Sequence, residues 1–271
     1  MKKGILGLAM TAAIVALTVQ PAQAHRQWML PSSTTLSGDD VWVTVDAAVS
    51  NDVFYFQHQP LRLDGVKAIA PDGVEAELKN KATGRYRSTF DLQLDKRGTW
   101  RIASMMESVS GTYMLNGKEE RLPRGVTTAT LAERIPAGAT DVKTGVSVNR
   151  NETYVTVGEP SLDVFKLENK GIEFVPVTHP NDLVNGEAAT FKFLLDGKPV
   201  AGLNVTVIPG GIRYRNDLGQ QDLKTDAEGK VTINWTMAGM YWINVTTPRA
   251  EGAAPAPSRA SYVGTFEVSE L

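Results

Sequence analysis

The chain has 271 residues, enough for two domains of ordinary size even after removal of an export signal. Its 28 basic and 30 acidic residues are mixed along the chain, so no basic stripe favours nucleic acid and no acidic tail favours a cation buffer. It contains no cysteine and three histidines, which excludes disulfides and leaves transition-metal chemistry to His25, His58 and His179.

The N-terminus has the three parts of an export signal. Lys2 and Lys3 supply a positive start, residues 5–19 are apolar, and Ala22-Gln23-Ala24 forms a small-residue cleavage site. The apolar part is shorter than the ~20 residues that span a bilayer, which favours a cleaved signal over a membrane anchor. We therefore expect residues 1–24 to be removed and the mature protein to be periplasmic and to begin at His25.

Residues 25–168 are expected to form a first domain, an antiparallel β-sandwich. Short runs that alternate apolar and polar residues are separated by Gly, Asp and Pro, a spacing typical of such sandwiches. Turn residues at Pro71-Asp72-Gly73 and Asn116-Gly117 predict tight turns between strands. Residues 127–134 could form a turn or two of helix or a threonine-rich loop. The predicted strands are residues 41–45, 74–78, 86–94, 99–103 and 154–157.

Residues 172–271 are expected to form a second, immunoglobulin-like sandwich. Residues 168–170 read as a linker, so we expect the second domain to fold alone and proteases to cut at that linker. The loop at residues 209–221 is long and polar, and it is either functional or a solvated hairpin tip. The whole chain is thus predicted to be all-β, with two antiparallel β-sandwich domains. The strands predicted in the second are residues 172–177, 190–195, 203–208, 230–235, 241–245 and 262–268.

Three sequence segments in the second half of the chain resemble a known protein family. EFVPVTHPNDLVNGE, FKFLLDGKPVAGLNVTV and KTDAEGKVTINW resemble a family of secreted bacterial proteins of unknown function, domain of unknown function 4198. Members of that family are often labelled as the periplasmic component of nickel or cobalt uptake systems. The resemblance extends from HRQWMLPSS to the C-terminal strand. It implies an accessory role in metal uptake, with an inner- or outer-membrane metal transporter as partner.

Cleavage after Ala24 would give His25 both a free α-amine and an imidazole. Together these groups chelate one metal ion, and a second histidine completes a T-shaped nitrogen site that suits Cu(II) and also nickel and zinc. The α-amine has an ordinary pKa of ~7.7 to 8.0, so a strongly binding metal can displace its proton near neutral pH. The candidate cofactor is therefore a divalent ion of nickel, cobalt, copper or zinc. The alternative is an incidental terminal histidine.

The other two histidines are candidates for the second ligand. His58 follows an aromatic stretch at a strand end or in a loop, where a lone histidine is more often a hydrogen-bonded structural residue. His179 precedes Pro180, which favours an extended backbone, and the resembled family commonly carries an asparagine at this corner.

Four methionines raise the alternative of a Cu(I) site, because thioethers are soft ligands. They lack the M-x-M clustering of copper-handling tails, so core packing is the favoured interpretation. The four are Met29, Met105, Met106 and Met114.

The usual catalytic motifs are missing from the sequence, which favours a protein that is not an enzyme. It has no G-x-S-x-G elbow, no H-E-x-x-H helix and no phosphate-binding loop. Two alternatives to a metal-uptake accessory stay open. One is a module at the cell envelope that binds a protein or another ligand without metal. The other is a copper-dependent oxidase that, like secreted copper monooxygenases, uses an N-terminal histidine and a second histidine on a β-sandwich.

Overall fold

The computed structural model describes residues 25–248 and 258–270, and their regular secondary structure is almost entirely β-strand. The predicted signal, residues 1–24, lies outside the described residues, as do residues 249–257 and Leu271. Residues 131–134 form a single turn of helix, α1 (Leu131–Arg134), and a 3-10 turn spans Ile212–Tyr214. In the described ranges no helix is long and apolar enough to cross a membrane. In chain order the strands are β1 (Arg26–Pro31), β2 (Thr35–Leu36), β3 (Val41–Ser50), β4 (Gln59–Pro60), β5 (Val66–Ile69), β6 (Glu75–Ala76), β7 (Lys79–Thr83), β8 (Ser88–Leu94), β9 (Gly98–Leu115), β10 (Lys118–Arg121), β11 (Thr140–Val157), β12 (Ile172–Pro176), β13 (Ala188–Leu195), β14 (Lys198–Pro199), β15 (Asn204–Pro209), β16 (Gln221–Lys224), β17 (Lys230–Asn234), β18 (Gly239–Thr246) and β19 (Arg259–Val268).

These strands form three sheets, and one of them belongs to both sandwiches. A ten-stranded sheet runs β16-β15-β18-β19-β11-β9-β5-β6, with β10 attached to β9 and β2 attached to β11. A five-stranded sheet, β1-β3-β8-β7 with β4 on β3, packs against the part of that sheet that contains β11, β9 and β5, and a four-stranded sheet, β12-β13-β14 with β17 on β13, packs against the part that contains β15, β18 and β19. The prediction of an all-β protein with two sandwiches, the second immunoglobulin-like, is confirmed.

In the first sandwich, buried and more exposed residues alternate along the strands. In β8 every second residue is buried, and β3 follows the same rule over most of its length. Their inward side chains meet those of β5, β9 and β11 from the ten-stranded sheet. Each fully buried aliphatic or aromatic side chain contributes about 1.5–3 kcal/mol relative to an exposed one. The most deeply buried members of this core include Val43, Val45, Phe90, Leu92, Trp100, Ile102 and Val155.

The second sandwich has an aromatic core. The ring of Phe174 on β12 lies 5.0 Å from the ring of Phe191 on β13 and 5.6 Å from that of Phe266 on β19. The first two strands belong to the four-stranded sheet and the third to the ten-stranded sheet, so these rings join the two layers. Aromatic pairs of this kind add about 0.5–1.5 kcal/mol beyond the area that they bury.

The two sandwiches are joined by direct strand pairing. The strands β11 and β19 run parallel and pair from Ser147 with Arg259 to Thr153 with Thr265. Tyr154, at the end of that stretch of β11, is buried in the core of the second sandwich. The ten-stranded sheet therefore continues across the predicted domain boundary.

A buried ionic cluster ties the predicted linker to β11. Arg150 Nη1 lies 3.4 Å from Glu152 Oε1, and Arg150 Nη2 lies 3.4 Å from Glu168 Oε2. The same Nη2 donates to the carbonyl of Lys170 at 3.2 Å. The backbone N–H of Glu168 donates to Glu173 Oε1 at 2.6 Å. Residues 168–170 are thus held on both sides, which argues against a free linker and against early proteolysis there.

Gly171 permits the change of sheet that follows this cluster. Its φ of +66° lies in the left-handed region, and an added Cβ would stand 2.7 Å from Val148 Cγ1. A side chain at this position would therefore strain the backbone and clash with β11. The next residue, Ile172, starts β12 in the four-stranded sheet. Whether residues 172–271 fold alone stays a prediction.

The structure contains both of the predicted turns. Asn116 and Gly117 have φ values of +50° and +75° and join β9 to β10 in a hairpin. This is the pattern of a type I′ turn, whose twist matches that of the flanking strands. Gly73, with φ of +84°, closes the predicted turn between β5 and β6.

Candidate metal centre

The structure brings His25 and His58 into contact. Their ring centroids are 3.9 Å apart and their planes are inclined by 17°. His25 directly precedes β1 and His58 directly precedes β4, and these two strands pair with β3 from opposite sides, both at Ala48. The two exposed imidazoles therefore meet at the end of β3, although 33 positions of the sequence separate them.

The segment that carries His58 is fixed by β1. The guanidinium of Arg26 donates to the carbonyl of Asn51 at 2.7 Å, and Gln57 Nε2 donates to Asp52 Oδ2 at 3.0 Å. Burial lowers the pKa of the Arg26 guanidinium, and the Asp52 carboxylate opposes that shift. Residues 51–57 are thus tied to the strand that begins beside His25, so both imidazoles depend on one local structure.

The second sandwich supports the same segment through its loop at residues 209–221. The guanidinium of Arg213 lies 5.2 Å from the ring centre of Tyr55, a cation–π contact. A Cβ on Gly210 would stand 3.2 Å from Phe54 Cδ2, so the backbone of the loop approaches that ring closely. Trp242 Nε1 also donates to the carbonyl of Gln27 at 3.0 Å. The start of the loop, residues 210–213, is therefore packed against the segment before His58, while most of residues 214–220 are exposed at the hairpin between β15 and β16.

Two imidazoles and one amine make up the nitrogen ligands that this place offers. Among the described residues there is no group of three or more His, Asp or Glu side chains that fits a metal ion. Two nitrogens bound to one ion at ~2.0–2.1 Å are about 3–4 Å apart. The rings are in contact, with centroids 3.9 Å apart, but their nearly parallel planes keep the in-plane lone pairs from converging on one ion. A rotation of the rings would aim one nitrogen of each at a shared ion, and the α-amine of a mature His25 would be the third.

His179 lies elsewhere and both of its ring nitrogens are engaged. Nδ1 accepts the backbone N–H of Asn181 at 3.1 Å, and Nε2 lies 3.1 Å from both the carbonyl of Ser161 and Thr99 Oγ1. Since Nδ1 is an acceptor, Nε2 carries the proton and donates to the Ser161 carbonyl. This network holds a neutral imidazole at the corner between β12 and β13, so we leave His179 out of the metal centre.

The burial of His179 makes the stability of the protein depend on pH. Burial lowers its pKa from 6.5, and the Ser161 carbonyl and Asp182 only partly oppose that shift. As pH falls below the unfolded value, the unfolded chain takes up a proton before the folded chain does. The contribution of His179 to stability is therefore complete above pH 6.5 and is lost as pH falls toward the lower folded value.

We expect urea denaturation to show this loss between about pH 7.5 and 5.5 in the wild-type protein, and a smaller loss in His179→Gln. Glu107 responds below this window. Hydrogen bonds from the side chains of Lys170 and Thr128 lower the pKa of Glu107 from 4.5 to about 2, so its contribution is lost only at lower pH. Equal pH dependence in the two proteins would contradict a neutral structural role for His179.

The four methionines divide into two groups. Met29 is fully buried in the first core, as predicted, and Met114 is partly exposed. Core packing is wrong for the other two, because Met105 is 39% and Met106 is 59% exposed. Both lie in β9, and Arg150 Nη2 lies 3.5 Å from Met105 Sδ. Met106 lines the same groove as His25.

The chain belongs to the family described as a domain of unknown function (DUF4198), whose model matches residues 22–249. In a comparison with curated proteins, none matched the chain significantly. The family description names no activity, and the nickel or cobalt role that the resemblance implies is therefore a matter for proposal.

Several solved structures align with the chain at low similarity. The D0-D1 domains of intimin share 16% identity, with 88% of this chain and 96% of that chain aligned and a TM-score of 0.22. A DUF4785 family protein from Legionella pneumophila shares 7% identity over 80% of this chain and 50% of its own, with a TM-score of 0.24. Trypsin-activated alpha-2-macroglobulin from Escherichia coli shares 14% identity, with 92% of this chain and 24% of that chain aligned and a TM-score of 0.22. At such scores these alignments carry no argument about function.

Proposed function

We propose that the mature protein is a periplasmic accessory to metal uptake that binds one divalent transition-metal ion at its N-terminus. The ligands are the α-amine and imidazole of His25 and the imidazole of His58. The observation that supports this is the contact between the two rings, 3.9 Å apart at the end of β3. Nickel, cobalt, copper and zinc all accept nitrogen ligands of this kind. The ion is cargo, and a membrane transporter is the partner that would receive it.

The proposal requires that export exposes the amine of His25. Protein recovered from a bacterial periplasm should have the intact mass of a chain that begins at His25. A mass that retains residues 1–24, or a start several residues later, would remove the amine from the ligand set.

The metal centre is tested by displacing that amine. We compare the mature chain with a copy that carries Gly-Pro before His25, whose proline has no amide proton and so blocks a substitute chelate through the added backbone. Titration with Cu(II), Ni(II) and Zn(II) at neutral pH should show at least tenfold weaker binding for the extended chain. Loss of one of three nitrogen ligands costs at least 1.4 kcal/mol, which is about tenfold in affinity.

Substitution of either histidine of the metal centre should weaken metal binding to a similar degree. His25→Ala and His58→Ala should each weaken binding at least as much as the extension, whereas His179→Gln, which keeps hydrogen-bonding groups at its corner, should leave affinity unchanged. Equal affinity of the mature and extended chains would make His25 a bystander. Binding by the mature chain no tighter than that of an arbitrary surface histidine would favour the envelope-binding alternative, in which no metal is bound.

The copper-oxidase alternative rests on the same pair of histidines, because it too needs an N-terminal histidine beside a second imidazole. It differs from the cargo proposal in what the copper-loaded protein does. Turnover that depends on a reductant and on peroxide would favour the oxidase. Binding of copper without such turnover would favour the accessory role.

A further inference from the structure

A groove of about 760 Å³ opens beside the candidate metal centre. One wall is the start of β1, from His25 to Gln27, together with Val49 of β3. The floor is the uncovered face of the ten-stranded sheet, and the far side is formed by Thr247, Pro248 and Ser258. The volume lies within the range of small-molecule sites, which is about 300–1,000 Å³.

The floor is a row of three polar side chains and one methionine. Met106, Asn149, Ser261 and Thr246 lie side by side on β9, β11, β19 and β18. The hydroxyl of Ser261 donates to Asn149 Oδ1 at 2.7 Å, which aims the amide of Asn149 and leaves its Nδ2 as a donor. At ~4.8 Å per strand this row is about 14 Å long, enough to line a polar molecule of several carbon atoms.

The charged side chains that the structure describes in the lining of the groove are all positive. Among the described residues that line it, Arg26 and Arg259 are cationic and there is no Asp or Glu. Arg26 is half-buried and offset in part by Asp52, whereas Arg259 is exposed. Two guanidinium groups raise the local potential, which disfavours a bare divalent cation and favours a ligand with negative charge. Guanidinium groups also bind carboxylates through paired hydrogen bonds.

We infer that the groove holds an organic carboxylate that carries hydroxyl groups, and that the metal ion reaches His25 as its complex with such a molecule. The inference rests on the metal centre proposed above. Three protein nitrogens leave positions on the ion open, and carboxylate oxygens fill them from the side of the groove. The uncharged Asn, Ser and Thr side chains of the floor donate to and accept from the remaining oxygens, and Arg259 pairs with a free carboxylate. The anionic complex, not the bare ion, is then the species that the positive groove attracts.

The test is retention of labelled citrate by the full mature chain in equilibrium dialysis, with and without equimolar Ni(II). We expect close to one citrate retained per protein when nickel is present, and at least tenfold weaker citrate binding when it is absent. Arg259→Gln should weaken retention about tenfold, because a hydrogen bond between charged groups is lost. The matched control Arg121→Gln removes the same charge from an exposed position on β10 and should have no effect.

The outcomes separate this inference from the metal centre itself. Retention of nickel without citrate overturns the inference and leaves the metal centre standing. Citrate retained equally without nickel, or by His25→Ala, overturns it as well, because the groove is then a simple anion site. Citrate bound with unchanged affinity by Arg259→Gln shows that it binds outside the groove. Retention of neither nickel nor citrate overturns this inference, and it overturns the metal centre as well if Cu(II) and Zn(II) also fail to bind.

Discussion

Replacement of Arg150 by methionine is expected to lower the free energy of unfolding by about 3–5 kcal/mol. The Arg150 side chain is 3% exposed, and it faces Glu152 and Glu173, which are 3% and 5% exposed. Removal of the guanidinium leaves these carboxylates buried without their cation, at a cost greater than the net value of the ion pairs. Arg101 compensates only in part, since its nearest approach to Glu152 is 3.7 Å.

Urea denaturation measures this effect, with Arg62→Met as the matched control. Arg62 is 88% exposed and pairs with Asp64, which is 80% exposed, so its loss should change stability by less than about 0.5 kcal/mol. Addition of Glu152→Gln and Glu173→Gln to Arg150→Met should restore part of the stability, because the unpaired charges are then gone. A cost no larger than that of the control would mean that the cluster does not hold the junction.

This cluster also shows what the sequence could not disclose about the two sandwiches. Alternation located at least part of each strand of seven or more residues, although it recovered only residues 99–103 of β9 and 154–157 of β11. A residue pair such as Asn116-Gly117 identified its hairpin, because both signals are local. The parallel pairing of β11 with β19 joins residues about 110 positions apart, and alternation contains no information about the partner of a strand. A linker was therefore predicted where the structure has a buried ionic contact.

The segment 74–78 illustrates the same limit on a smaller scale. Its alternation predicted one strand, but only Glu75–Ala76 pairs, with β5 of the ten-stranded sheet. The chain then crosses to the five-stranded sheet, where β7 pairs with β8. A continuous strand cannot pair in both sheets, so the crossing interrupts it, and Leu78 is buried in the core between the layers.

At the candidate site the sequence supplied the residue types but not their arrangement. His25 and His58 were candidates from their positions in the chain, whereas their contact depends on β1 and β4 flanking the end of β3. The loop at residues 209–221 gave no signal that it would support His58, because its contact with Tyr55 and Phe54 joins separate sandwiches. His179 was an equal candidate by residue type, and only its hydrogen bonds distinguish it.

Trp28 is the residue through which the fold controls this site, and Trp28→Ala is expected to cost about 3–5 kcal/mol. Its side chain is fully buried, within a cluster that contains Val53 from the His58 segment and Ile208 and Trp242 from the second sandwich. The cavity left behind would loosen β1 three residues after His25. Trp42→Ala on the neighbouring strand is the matched control, because Trp42 is 39% exposed and its loss should cost less than about 1 kcal/mol.

The same variant should bind metal at least tenfold more weakly while still folded, because His25 and His58 reach each other only through the strand that Trp28 anchors. The ring of Trp28 also packs against Phe54 and Phe56, at centroid distances of 5.5 and 5.2 Å, so its loss frees both partners of the pair. Titration with Cu(II) below the unfolding temperature of the variant, beside Trp42→Ala, measures the effect. If affinity survives a large loss of stability, the imidazoles find the ion without a preformed contact, and the spacing of the two rings has no part in binding.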